Sequence, residues 1–229
     1  MNKKVVVISL GGSLIVPENI DIPFLNNFKK ILKKHSKKYK FVVVTGGGSI
    51  ARKYISALKQ AGINEKLQSF SGIAVTRINA RFLTYFFGKD ANQGIPHDMK
   101  HVKSLSGKNE VVFCGALRYA PEQTSDSTSA QIANYLKTDF INLTNVQGLY
   151  NKNPQKHKNA KLITKISWQK FYKMANKTKF QPGQHFVLDQ TAAKIILNHK
   201  IKTYILGKDL KQLNSLLRGK RFKGTIIYG

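Results

Sequence analysis

Val5-Val6-Val7-Ile8-Ser9-Leu10, followed at once by Gly11-Gly12-Ser13, and Phe41-Val42-Val43-Val44-Thr45, followed by Gly46-Gly47-Gly48-Ser49, are the two stretches that decide the fold. Each opens as a short run of β-branched apolar residues, the composition of a strand buried on both faces, as in a parallel sheet. Each closes on glycines, which let backbone N–H groups approach a ligand with no Cβ in the way. A helix beginning after such a turn adds unpaired donors and a partial positive charge. That combination binds phosphate. Two such turns in one sheet can hold two phosphate groups near each other, as phosphoryl transfer requires.

Working outward, the apolar spacing predicts a helix from about Pro23, with Phe24, Phe28, Ile31, Leu32 and His35 on one stripe. His35 reads as a helix-end residue. A helix with Ala51, Tyr54, Ile55 and Leu58 follows the triple glycine, and Gly62 reads as its C-cap. A long helix is expected over Phe70 to Phe87, then strand-like stretches at His101 to Lys103 and Glu110 to Gly115. A further helix opens at Ser125 or Asp126, and a strand runs from Asp139 to Thr144. Ser167 reads as the N-cap of a helix through Met174, Lys177 to His185 as a polar loop, and Asp189 as the N-cap of a helix over Ala192 to Asn198. A strand at Thr203 to Leu206, a helix opened by Asp209 and a strand at Thr225 to Tyr228 complete the pattern. Strands alternating with helices predict an α/β fold with a mostly parallel sheet. No linker divides the chain, so a single domain over 1–229 is expected.

The 229 residues and an apolar fraction of 41% suffice for a real core. No apolar run reaches transmembrane length, so no membrane association is expected. The chain enters a strand almost at once without a signal-peptide-like stretch, and its one cysteine, Cys114, has no partner for an internal disulfide. Both lead to the expectation of a reducing, cytoplasmic setting. No clustered Cys/His spacing marks a metal site, so no protein-held metal is expected. The formal charge of +28 fits either phosphate contacts with a nucleic acid or a solvated lysine surface. Lys29, Lys30, Lys33, Lys34, Lys37 and Lys38 sit mostly on the outer face of one amphipathic helix, which favours the solvated surface and no specific nucleic-acid partner.

Arg52 follows the triple glycine closely enough to reach an anion held over it; the alternative is a surface arginine. Neither glycine turn is a Walker A loop, a protein-kinase loop or a dinucleotide fingerprint. Thr124-Ser125-Asp126-Ser127-Thr128 puts hydroxyls and one carboxylate at a helix start, more than an N-cap needs, which suggests ligand contact. Thr144-Asn145-Val146-Gln147-Gly148-Leu149-Tyr150 follows a buried strand, a position where α/β sheets bind ligands. Tyr150 fits either a place beside a base or one in the core.

The ordered pieces LGGSLIVPENIDI, VTGGGSIARKY, GIAVTRINA, QTSDSTSA, NLTNVQGLYNKNP and LDQTAAKII span nearly the whole chain. Together they resemble the amino-acid kinase fold family, and within it the archaeal-type uridylate kinases. The resemblance implies a three-layer αβα sandwich, with an acceptor-binding part at about 1–137 and an ATP-binding part at about 138–229. It implies transfer of the γ-phosphoryl group of ATP, with Mg2+, to UMP, and a homo-oligomer, commonly a hexamer. It assigns ATP contacts to Gly12, Ser13, Gly48, Arg52, Thr144, Asn145, Tyr150 and Asn153. It assigns UMP contacts to Gly47, Ser69, Thr124 and Ser125, and catalytic roles to Arg52 and Asp126. Against the family pattern, Ser9 stands at a phosphate-bridging lysine, and Ser69, Gln147 and Asn153 stand at carboxylates. Pro121-Glu122 stands where Pro-Gly is usual. A kinase of the same fold for another small phosphorylated acceptor, such as isopentenyl phosphate, and a weakly catalytic or non-catalytic nucleotide-binding protein are the alternative readings.

Overall fold

In the computed structural model, the residues described are 3–119, 123–154, 156–176 and 187–229. β1 (Lys4–Leu10) lies between β2 (Tyr39–Thr45) and β4 (Phe140–Leu143), parallel to both. β3 (Val111–Cys114) continues the sheet beyond β2, and β8 (Thr203–Leu206) continues it beyond β4, again parallel. β9 (Thr225–Ile227) pairs antiparallel with β8 and parallel with β7 (Lys165–Ile166). The order is therefore β3-β2-β1-β4-β8-β9-β7, and a small hairpin-like pair, β5 (Leu149–Tyr150) with β6 (Leu162–Ile163), stands apart. The expected mostly parallel sheet is present. The short β6 and β7 had no apolar run to announce them.

Helices cover both faces. Along β1 and β2 alternate side chains point to opposite sides. Val6, Ile8, Leu10, Phe41 and Val43 enter one apolar cluster, shared with α2 (Ile22–His35), α4 (Glu65–Phe87) and α9 (Leu210–Leu217). Val7, Val42 and Val44 enter the other, shared with α5 (Met99–Lys108), α6 (Ser125–Tyr135), α7 (Trp168–Asn176) and α8 (Gln190–His199). The same alternation sends polar residues near the strand ends to defined sides. Ser9 and Asn142 face α6 and α8, and Thr45 faces α4.

Local expectations are mostly met. α2 starts with Asp21 accepting from the Phe24 N–H and ends at His35, whose ring meets the Asn214 side chain at 3.0 Å. Lys30, Lys33, Lys34, Lys37 and Lys38 are exposed, whereas Lys29 turns in to donate to the Phe86 carbonyl at 2.8 Å. Gly62 sits just past the end of α3 (Gly48–Gln60) at φ +71°, the left-handed turn expected of it. α4 begins at Glu65, earlier than expected, because Asn64 caps it by accepting from the Leu67 N–H. His101 to Lys103 is a correction: it lies inside α5, where Asp98 caps the helix and Val102 is buried between Met99 and Leu105, so three residues of a helical stripe gave a strand-like reading. The loop expected at Lys177 to His185 falls outside the described residues. No helix among the described residues is long and apolar enough to cross a membrane.

Candidate active site

β1, β2 and β4 run parallel side by side, so their carboxyl ends bring both glycine turns and Thr144 to one edge of the sheet. A turn of four residues, α1 (Gly12–Ile15), follows the first glycines, and α3 follows the second. The two turns interlock. A Cβ on Gly12 would lie 2.2 Å from the Gly48 nitrogen and 2.5 Å from the Gly46 oxygen. A Cβ on Gly46 would lie 2.7 Å from the Gly12 nitrogen, and one on Gly48, whose φ is +64°, 2.7 Å from the Gly12 carbonyl carbon. The glycines thus serve first to let two backbones touch, which the sequence reading had credited to a ligand.

The start of α3, like that of the four-residue α1 with Gly11 at its N-cap, carries no capping side chain. α2, α4, α5, α6, α8 and α9 each have an N-cap side chain accepting a backbone N–H: Asp21, Asn64, Asp98, Thr124, Asp189 and Asp209. α3 has Gly47 at its N-cap, no capping side chain and no acidic residue in its first turn. Its orphan N–H groups remain for an anion. Arg52 lies four residues after Gly48 on the same face of α3, and helical side chains lean toward the N-terminus. It is exposed and makes no hydrogen bond or ion pair among the described residues. Ser13 is half-buried beside these turns.

Ser69 is half-buried on α4, in line with Gly72 and Thr76 at helical spacing. That line runs past the second glycine turn: a Cβ on Gly47 would lie 3.6 Å from the Gly72 oxygen and 3.7 Å from Thr76 Cγ2. Ser69 therefore shares the face of α4 that backs Gly47.

The hydroxyl run before α6 is largely committed within the protein. Thr124 Oγ1 accepts from the Asp126 and Ser127 N–H groups, Ser127 Oγ accepts from the Thr124 N–H, and the two form a capping box. Thr128 and Ser129 donate to the Thr124 and Ser125 carbonyls. Ser125 is the half-buried hydroxyl with no such bond described. Thr124 Oγ1 also donates to Asp189 at the start of α8, so two helix N-termini and two carboxylates converge. Ser9, at the position of the family's lysine, is buried and donates to Asp126 Oδ1 at 2.7 Å.

Burial and the neighbouring Asp189 push the Asp126 carboxyl up to about 7, against the Ser9 hydrogen bond. Burial also raises Asp189, against bonds from Thr124 and from backbone N–H groups at the start of α8. A carboxyl raised in this way holds its proton in the folded state between about pH 4 and 7 while the unfolded chain has lost it. It therefore favours the fold at low pH, and that contribution is lost as pH rises through 7. Asp126→Asn keeps an acceptor for Ser9 but cannot ionise. It is expected to be more stable than the parent at pH 8, on the order of 1 kcal/mol because the residue keeps some solvent contact, with the advantage shrinking as pH falls below 7 and gone near pH 4. Urea midpoints at pH 8 and near pH 4 measure this. Equal shifts at both would show that burial does not hold the proton.

The residues expected on the ATP side divide into two groups. Thr144 and Asn145 continue from β4 beside the glycine turns: the Thr144 N–H donates to the Leu206 carbonyl at 2.9 Å, and the Gly11 N–H to the Leu143 carbonyl at 3.0 Å. Tyr150 is half-exposed on β5, and its hydroxyl donates to Gln147 at 3.2 Å, so it lies outside the core. Asn153 is exposed, and its carbonyl accepts from the Lys156 and His157 N–H groups. A cleft of about 630 Å³, lined by Leu117, Arg118, Gln123, Thr128 and Tyr135, opens between α5 and α6 and not over the glycines.

The sequence reading missed the role of one turn of α4. Asn79 Nδ2 donates to the Gly46 carbonyl at 2.8 Å, Thr45 donates to the Thr76 carbonyl at 2.7 Å, and Thr76 Oγ1 accepts from the Ala116 N–H at 2.9 Å. Arg77 donates to the Ala116 carbonyl at 3.1 Å and to the Leu117 carbonyl. The signal was available: Thr76 and Asn79 are polar residues at i and i+3 on the same side of the helix as Ala80 and Leu83, and buried polar groups need partners.

Comparison with known proteins agrees with this architecture. The uridylate kinase of Thermococcus kodakarensis is 35% identical over 224 residues, covering 97% of this chain and 98% of that protein. The uridylate kinase of Thermoplasma volcanium is 36% identical over 222 residues, 96% of this chain and 95% of that protein. The crystal structure of uridylate kinase from Archaeoglobus fulgidus superposes with a TM-score of 0.83 at 32% identity, over 97% of this chain and 99% of that one. The crystal structure of UMP kinase from Ureaplasma parvum, 23% identical with a TM-score of 0.79, shares the fold. Residues 4–207 match the Amino acid kinase family, a span that holds every strand of the sheet but β9, both glycine turns and the convergence of α6 with α8, and the chain belongs to that family.

Proposed function

We propose that this protein transfers the γ-phosphoryl group of Mg·ATP to UMP, giving UDP and ADP. An oxygen of the UMP phosphate attacks the γ-phosphorus, and the bond from that phosphorus to the oxygen bridging to the β-phosphate breaks. The observation that carries the reading is the uncapped start of α3 between two interlocked glycine turns, with the exposed Arg52 one helical turn away. Free N–H groups and a cation placed in this way suit a transferring phosphoryl group between two bound phosphates. Full-length relatives named uridylate kinases support UMP as the acceptor.

In this reading Gly47, Ser69, Thr124 and Ser125 face UMP. Gly12, Ser13, Gly48, Thr144, Asn145, Tyr150 and Asn153 serve ATP. The glycine-turn amides and Arg52 oppose the charge that builds on the equatorial oxygens, and Asp126, tied to Ser9, holds the start of α6 in place. Such transfer depends on positioning and charge stabilisation and needs no covalent intermediate. In this reading the magnesium ion arrives bound to ATP phosphates and water. The acceptor part spans about 1–137 and the ATP part about 138–229. The chain works in the cytoplasm as a homo-oligomer, a hexamer. The exposed Leu67, Ile78 and Tyr85 along α4 support self-association, which light scattering measures.

ADP release, coupled to a spectroscopic readout, is expected to be far faster with UMP than with AMP, CMP, dUMP or isopentenyl phosphate. Turnover of isopentenyl phosphate without turnover of UMP would overturn the acceptor assignment. No turnover with any of them would overturn the kinase reading.

A further inference from the structure

We propose that Arg77 is a positioning residue that sets acceptor selectivity by holding the chain after β3 against α4. The proposal rests on the reading of the stretch leading to Thr124 and Ser125 as the acceptor side. That chain is pressed onto α4 at its first residue: a Cβ on Gly115 would lie 2.6 Å from Thr76 Oγ1 and 2.7 Å from the Arg77 nitrogen. The Ala116 N–H then donates to Thr76 Oγ1, and Arg77 closes the next two carbonyls, Nε to Ala116 and Nη2 to Leu117. Two residues further on, the Tyr119 ring meets Phe70 of α4 edge-on at 5.2 Å.

The same helical turn grips the second glycine turn through Thr45 to the Thr76 carbonyl and Asn79 to the Gly46 carbonyl. Residues 76–79 are therefore one anchor for two loops, the phosphate side and the base side of the acceptor. Their separation is set by the rigid geometry of a helix. Arg77 is half-buried and its described partners are carbonyls, not a carboxylate, so it keeps its full charge at a desolvation cost that lowers its pKa. An apolar side chain would fill the same space without that cost. The guanidinium offers a planar pair of adjacent donors that meets two successive carbonyls, a geometry an ammonium does not reproduce.

The test uses Arg77→Lys and Arg77→Ala in the full chain. It reads kcat and KM for UMP and ATP, the UMP-to-CMP preference, and amide exchange over residues 115–119. For Arg77→Lys the KM for UMP is expected to rise about tenfold, with the KM for ATP within about twofold, because one charge-assisted bond to a loop carbonyl is lost on the acceptor side alone. The preference for UMP over CMP narrows, residues 115–119 exchange faster, and added guanidinium partly restores the acceptor KM of Arg77→Ala. Equal rises in both KM values with a lower Tm would show a merely structural role and overturn the proposal. So would an unchanged KM for UMP with unchanged exchange. If Arg77→Ala does not fold, Arg77→Lys decides. If the parent chain does not phosphorylate UMP, the acceptor reading fails and the selectivity role assigned to Arg77 fails with it. Exchange over 115–119 in Arg77→Lys then decides the anchoring separately.

Discussion

Arg52→Ala is expected to lower kcat/KM for UMP phosphorylation about 10²–10³-fold while leaving the fold and Tm unchanged, the usual loss when one donor to a transition-state charge is removed. The two halves of this expectation come from different observations. The side chain is exposed and makes no bond to the rest of the described protein, so its removal empties no cavity and strands no partner. Its place on α3 puts it beside N–H groups that no side chain caps. A guanidinium there gains most when charge spreads over the transferring group, so the loss should fall on kcat more than on either KM. Steady-state kinetics with thermal unfolding on the same preparation separates the effects. Unchanged kinetics would make Arg52 a solvent-facing arginine, and a fall in Tm would mean that it supports the start of α3.

Gly12→Ala should be damaging in both respects. Its Cβ would stand 2.2 Å from the Gly48 nitrogen, and the obstructing atoms are backbone, not the end of a flexible side chain. Neither loop is free to yield: Asn79 holds the Gly46 carbonyl, and the Gly46 N–H donates to the Leu10 carbonyl at 2.9 Å. Forcing the turns apart costs about 1–3 kcal/mol, the range for overpacked sites. A displacement of about 1 Å between two phosphate-holding turns lowers the rate by about 10²-fold. Gly107→Ala provides the contrast. Gly107 lies in α5 with nothing within 4 Å of an added Cβ, and alanine there is expected to stabilise by about 0.5–1 kcal/mol without touching turnover. Wild-type kinetics for Gly12→Ala would show that the contact between the turns is not what spaces the two phosphates.

Amino-acid order alone determined the main strands, their mostly parallel class and the strand ends that carry the glycine turns. Runs such as Val5 to Leu10 and Phe41 to Thr45 are too uniformly apolar for any place but a doubly covered strand, and the glycines after them mark strand ends. N-caps at Asp189 and Asp209 were legible because a short polar side chain before an apolar stripe has one efficient use. His101 to Lys103 was misread because three residues are too short a window to show a period: the stripe of α5 runs Met99, Val102, Leu105, at a spacing of three.

Tertiary structure decided the rest, because it concerns partners distant in the chain. Sequence shows that Gly12 and Gly48 are glycines, but only the pairing of β1 with β2 shows that each is needed by the other. Sequence shows hydroxyls at Thr124 to Thr128, but only the fold shows most of them spent on capping and on backbone carbonyls. The approach of Asp189, 63 positions later, adds to burial in raising the Asp126 carboxyl, burial raises Asp189, and both require the packing of α6 against α8. Arg77 reads from sequence as one more cation in a chain of +28. Its two carbonyl partners are 39 and 40 residues away, and a hydrogen bond across such a distance is visible only when the strand between them has been placed.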